Sequence, residues 1–350
     1  MPRLVLVISD MYPGRQGAVG LPRLACLEQW LARGRTTRLV AGWQQWVLDE
    51  FLEGSCAATP WAAVAAAATA VAPVVTGHPW LATPVHLLVG IDTLRVHPAG
   101  LLHLEASEQQ ALVTDFARVF HDSGWSLHAT GRREMLIASD KALRAARADP
   151  GRWLGADPSS GLPVGPDAGA VQRLTSELEM WLHEHPVNRL RTRNGLLTIS
   201  GLWPWGGGSA VAPAATPVAP AATPALHGVA GSTLQVYGAD LFLDGLCRMA
   251  GAASQALPAS WPDHPIRSDT LVHYTLGGKS DRESLQYLER DIIAPLMRQL
   301  YRGAVDSLTL LVGERAVTLR RPGWRIWTAL ARPRPWWESL LAELVEEEKS

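Results

Sequence analysis

At 350 residues, 47% apolar and 19% charged, the chain has an ordinary globular composition and enough length for a large core, or for two. A formal charge of −1 excludes a global electrostatic pull toward nucleic acid or an anionic membrane. Cys26, Cys56 and Cys247 are far apart and form no CxxC pair, which excludes a disulfide framework and suits reduced thiols.

The opening MPRLVLVISD carries an apolar run too short for a signal peptide, so a cytoplasmic protein is expected. Leu4 to Ile8 instead predicts a strand buried on both faces, hence a parallel central strand covered by helices. Asp10 stands at its carboxyl end, a place suited to a metal ligand or catalytic acid; a turn-former or helix cap is the plainer alternative. Met11 to Gly14 reads as a turn. Leu24, Leu27 and Leu31 predict an amphipathic helix over 21–32. The uncharged, alanine-rich stretch from Cys56 to Val75 contains Pro60 and Pro73 and lacks the large aliphatic residues of a membrane span, so a buried helix is expected. Leu87 to Val96 predicts a strand, Pro98-Ala99-Gly100 a turn, and Ser107 the N-cap of a helix ending near His121. Strands over 125–128 and 132–138 complete a small α+β unit. The Pro, Gly and Asp density of 149–167 marks a loop.

The stretch His183 to Gly208, HEHPVNRLRTRNGLLTISGLWPWGGG, is the most informative part of the chain. Leu174, Leu178, Trp181 and Leu182 predict a preceding helix, stopped by Pro186. Arg189, Arg191 and Arg193 then crowd a short turn, where guanidinium forks could grip a phosphate or carboxylate. A solvated basic turn is the alternative. Leu196 to Leu202 predicts a strand, and the Trp-Pro-Trp-Gly-Gly-Gly exit from it is a candidate ligand site on the rule for open parallel sheets. The triple glycine lacks the Lys-Ser/Thr of a P-loop. His183-Glu184-His185 is better explained as a helix terminus than as a metal site, since positions two apart do not share a helix face.

Beyond it, 209–224 is low-complexity and proline-punctuated, expected as a linker. Helices are predicted over 237–251, 282–301 and 336–348, and strands over 270–276, 307–312 and 317–327. The fifteen tryptophans are expected mostly in the core, with Trp324, Trp327, Trp336 and Trp337 candidates for a dimer surface.

The order of SEQQALVTDFARVFHDSGWSLHATGRREMLI, the His-Pro-Val-Asn stretch with Trp-x-Trp-Gly, and HGVAGSTLQVYGADLFLDGLCRMAG resembles the archaeal-type cofactor-independent phosphoglycerate mutases of the alkaline phosphatase superfamily. The likeness is closer to their proteobacterial branch of RpfE-type regulatory proteins. It covers about Leu87 to Gly251, and Asp10 matches the family's opening metal aspartate. The resemblance implies an α/β fold, an alkaline-phosphatase-like doubly wound sheet over 1–86 and 196–350 (with an Ala/Pro-rich loop at 208–225), and an inserted α+β lobe over 87–195. It also implies phosphoryl transfer through a serine or threonine phosphoenzyme beside two divalent metals.

The departures fall on the ligands. Where the family has Asp and, four residues on, His, this chain reads HYTLGGKSDR from His273 to Arg282. Where it has Asp-His after a late strand, this chain reads Gly313-Glu314-Arg315. No histidine occurs in 274–350. The only counterpart to the nucleophile segment is Gly54-Ser55-Cys56, without the acidic neighbour, and Ser55 also suits a loop or cap. The expectation is therefore a catalytically degenerate phosphoglycerate-mutase-like protein, regulatory or ligand-binding, with no cofactor and with a small phosphorylated or carboxylate ligand as partner. An active metal-dependent phosphomutase or phosphatase, with Mn or Zn at Asp10 and Ser55 as nucleophile, is one alternative. A structural protein that dimerises through its Trp-rich C-terminus is another.

Overall fold

The computed structural model describes residues 2–11, 20–39, 41–51, 60–69, 77–90, 93–208, 234–259, 261, 266–276, 282–321 and 333–341. The chain divides into two compact units: Met1–Ala57, Ala225–Ala239 and Ala253–Ser350 form the first, and Ala58–Pro224 with Asp240–Ala252 the second.

The first unit holds β1 (Arg3–Ser9), α1 (Ala25–Arg33), β2 (Arg35–Arg38) and α2 (Gly42–Phe51). The second holds α3 (Trp61–Ala67), β3 (His78–Val89), β4 (Leu94–Leu101), α4 (Ala106–Val119), β5 (Trp125–His128), β6 (Met135–Ser139), α5 (Ala168–His183), α6 (Pro186–Arg193) and β7 (Gly201–Trp205). The chain returns to the first unit for β8 (Gln235–Tyr237) and to the second for α7 (Leu241–Met249). The first unit is then completed by β9 (Thr270–Thr275), α8 (Arg282–Tyr287), α9 (Ala294–Arg302), β10 (Ser307–Val312), β11 (Arg315–Arg320) and α10 (Trp336–Leu341).

In the first unit six strands run in the order β2-β11-β10-β1-β9-β8; the last four are parallel, and β11 and β2 join antiparallel. β1 lies in the middle with Leu4 to Ile8 all buried, as a continuous apolar run requires. Alternation sends Leu4, Leu6 and Ile8 to one face, where they meet Leu27 and Trp30 of α1 and Leu296 and Leu300 of α9. Trp336 of α10 is 1% exposed in this same core, so this tryptophan is used inside the unit. The opposite face is covered by α2: Arg3 lies over the Phe51 ring and pairs with Glu50, and Trp43 packs on His273. Arg3 also pins β1 to the start of β9, its backbone N–H and guanidinium both donating to buried Asp269.

The predicted helix over 282–301 is interrupted by a π segment, Leu288–Ile293. Pro295 explains it: proline has no N–H to donate and its ring collides with the carbonyl four residues back. That carbonyl, on Asp291, instead accepts the Trp261 N–H at 2.9 Å.

In the second unit the twelve-residue β3 pairs with β6 through 78–82, with β4 through 85–89 and with β7 through 81–85, all antiparallel. The sequence-based border at 86/87 falls inside this strand, because β3 and β7 build the same sheet as β4 to β6. α4 and α5 cover it, burying Leu112, Phe116, Val171, Leu174, Leu178 and Leu182. α4 begins with a capping box between Glu105 and Glu108 rather than at Ser107. Two 3-10 turns, Pro150–Trp153 and Pro158–Gly161, sit in the expected loop. Among the described residues no helix is long and apolar enough to cross a membrane. The expected linker 209–224 lies outside the described residues.

Candidate functional site

The parallel register brings the carboxyl ends of β1, β9 and β10 together in the first unit. Ser9 is opposite Thr275, and Val7 opposite His273, so Ser9 and His273 share a face two positions apart. Ser9 Oγ lies 2.8 Å from His273 Nε2. The imidazole is 2% exposed, with the Trp43 ring 5.4 Å away centroid to centroid. Asp10 follows, 8% exposed and at φ +63°, the only non-glycine residue among those described to take the left-handed region. A side chain held there costs about 1–3 kcal/mol, a strain that collects at functional sites. Asp10 thus stands at the strand tip expected for it, in a constrained conformation.

The third strand end differs from the two-metal pattern. β10 turns straight back into β11 through Gly313-Glu314, with Gly313 at φ +56°. The Glu314 carboxylate faces Arg38 at 3.6 Å, and its carbonyl accepts the Leu39 N–H. Among the described residues no group of three or more His, Cys, Asp or Glu is placed to hold a metal ion. The described residues alone do not make up a two-metal centre. Ser55 lies outside the described residues.

The three arginines of the central stretch do not converge. They lie not in a turn but on α6, where Pro186 occupies a first-turn position and His185 is the N-cap, its Nδ1 accepting the Val187 N–H. Arg189 and Arg193 are exposed, and Arg189 donates to the Glu184 carbonyl. Arg191 points the other way, 5% exposed, with Nη1 2.9 Å from both Glu108 oxygens and Nε donating to the Leu197 carbonyl. A helix puts i and i+4 on one face and i+2 opposite, so the three cannot share one anion. Arg191 ties α6 to the first turn of α4.

Behind α6, Asp115 accepts the Trp181 indole N–H at 2.8 Å and the Arg118 guanidinium at 2.6 Å. The Trp181 bond, then Arg118, holds its carboxyl below the usual carboxylate range. His185, 4% exposed, faces the same carboxylate at 3.6 Å; burial pushes its imidazole down, with Asp115 opposing and Arg189 reinforcing the shift. A shallow cavity of about 520 Å³ runs along this face of α4, lined by Ser107, Gln110, Ala111, Thr114, Asp115 and Arg118.

The strand expected over 196–202 begins at Gly201, and Trp203 to Trp205 lie within β7 and not beyond it. β7 is antiparallel to β3, so the ligand rule for parallel strand ends does not reach this exit. The glycines there serve packing: a Cβ on Gly207 would fall 2.5 Å from the Pro79 carbonyl oxygen and from the Trp80 ring.

No protein-family model matches the chain, and no curated protein does. Solved structures similar to it include a cofactor-independent phosphoglycerate mutase from Thermoplasma acidophilum, at 14% identity and TM-score 0.37 over 100% of both chains. The PH0037 protein from Pyrococcus horikoshii is another, at 9% identity and TM-score 0.40 over 97% of this chain and 92% of that one. Likeness at this depth assigns neither family nor activity.

Proposed function

We propose that this chain is a phosphoglycerate-mutase-like protein of catalytically degenerate type, retained as a regulatory or ligand-binding component. On this reading the first unit is an alkaline-phosphatase-like doubly wound domain, and the chain belongs with the RpfE-type branch of the archaeal-type mutases. One observation carries it: His273 and Glu314, at or beyond the ends of β9 and β10, are engaged by neighbouring protein side chains. His273 is held by Ser9, Glu314 faces Arg38, and Asp10 stands buried at the tip of β1. Two-metal phosphoryl transfer clamps attacking and leaving oxygens together and loses its basis when most ligands are gone. Equilibrium dialysis against manganese and zinc tests the reading: no tightly held ion is expected, and two per chain would sink it.

A second reading, an active metal-dependent phosphomutase or phosphatase with an altered site, is favoured by the buried, left-handed conformation of Asp10. It requires metal-dependent turnover of 3-phosphoglycerate that Asp10→Ala abolishes. Silence across a panel of phosphoesters removes it.

A further inference from the structure

The second unit buries a guanidinium that the central arginine stretch does not include. Arg147 is 8% exposed, its charge centre 3.5 Å from the Trp203 ring centroid. Nε donates to the Gly161 carbonyl at 2.9 Å and Nη1 to Thr175 Oγ1 at 3.1 Å, the Thr175 hydroxyl itself donating to the Val171 carbonyl. A guanidinium carries five N–H donors. The two on Nη2 have no acceptor among the described residues, and neither has the second on Nη1.

The contrast with Arg191 is direct. Both side chains are buried, but Arg191 meets both oxygens of Glu108, whereas Arg147 meets only neutral oxygens and an aromatic face. Glu179 of α5 is the acid whose field reaches Arg147, yet no ion pair joins the two among the described residues. Burial drives the Arg147 guanidinium down to about 9, with the field of Glu179 opposing the shift. At neutral pH it is still cationic. The end of its fork is the geometry that meets the paired oxygens of a carboxylate or phosphate. Its floor is rigid: Trp203 donates its indole N–H to the Ala148 carbonyl, Trp153 stands 5.6 Å from it ring to ring, and a Cβ on Gly161 would collide with both.

We infer that Arg147, seated on Trp203 and steadied by Gly161 and Thr175, is the anchor of an oxyanion site that takes the terminal carboxylate or phosphate of a small molecule. The inference goes beyond the strand-end reading and stands whether or not Asp10 serves any chemistry.

Titration calorimetry on the full chain tests it, with sodium phosphate in one arm, sodium succinate in another, and sodium chloride at matched ionic strength as the blank. Saturable millimolar binding is expected in at least one arm, about tenfold weaker in Arg147→Gln and several-fold weaker in Arg147→Lys, which keeps the charge but loses the fork. Binding of phosphate alone assigns a phosphorylated ligand, and binding of succinate assigns a carboxylate. Should Arg147→Gln fail to fold, the wild-type melting temperature decides, since an anion bound at a site raises it logarithmically with concentration from the millimolar range, whereas the general salting effect of phosphate grows in proportion to concentration. No saturable heat in either arm overturns the inference. So does equal binding by Arg147→Gln, or, in the fallback, a melting temperature that stays at the chloride value or rises only in proportion to salt.

Discussion

At the scale of single residues, the central stretch shows how position on an element outweighs residue type. Arg189, Arg191 and Arg193 are chemically equivalent, but α6 gives water two of them and gives Glu108 the third. His185 beside them links local geometry to pH. Burial holds its imidazole below the ordinary value of 6.5, so the native state disfavours the proton that the unfolded chain accepts. For a base shifted down, the stabilising contribution is complete above the unfolded value and is lost as pH falls through it toward the folded one. Asp115, also shifted down, loses its contribution at lower pH still, as it protonates. Stability of the second unit should therefore decline from about pH 7 to 5 through His185, then further below about pH 4 through Asp115. Urea midpoints across that range check it. His185→Gln, which keeps an acceptor for the Val187 N–H, should flatten the pH 7 to 5 portion and leave the lower one. An unchanged slope would remove His185 from the account.

At the scale of elements, α7 and α3 give a case where propensity and packing disagree in sign. Gly245 lies in the middle of α7, where alanine is preferred by about 1 kcal/mol. A Cβ there would fall 1.9 Å from the Val64 carbonyl oxygen of α3, a backbone atom that cannot swing aside. Packing should win: Gly245→Ala is expected to destabilise by about 2–3 kcal/mol in chemical denaturation, and a stabilised variant would show that the two helices do not meet so closely. Nothing in the sequence around Gly245 announces α3 as its neighbour. The elements that were legible are those whose own pattern suffices: the apolar runs of β1, β9 and β10, and the amphipathic α4 and α5. Those that were not are strands containing proline. β3 includes Pro79 and Pro84, β4 includes Pro98 and β7 includes Pro204; Pro98 reads as a turn and Pro204 as an exit, yet both lie in strands whose remaining ladder bonds outweigh the missing donors. Pro186 is equally ambiguous, since the residue that stops one helix also begins the next. The candidate site divides likewise. Asp10 was visible because it ends an apolar strand. The Ser9–His273 contact needs the register of β1 on β9, and the burial of Arg147 needs β7 against α5; no single segment carries either.

At the scale of the molecule, β1 is the strand on which the first unit depends. Its partners β9 and β10 lie more than 250 residues away, and the bond from the Arg3 N–H to Asp269 spans 266 positions. Pairing over that distance must close most of the chain before any contact forms, so the central strand of this sheet waits for the last elements synthesised. Removing them leaves a specific defect. A chain ending at Arg302 keeps β8, β9 and α9 but loses β10 and β11, which turns β1 from a central strand into an edge with Leu4 to Ile8 apolar along its length. An exposed, flat, apolar edge templates pairing with other chains. Such a truncation is expected to be insoluble or to form large assemblies by light scattering, while proteolysis of whatever remains soluble leaves fragments from 77–208, whose core does not include the lost residues. A soluble, monomeric truncation would show that β1 is supported by something other than its two parallel neighbours.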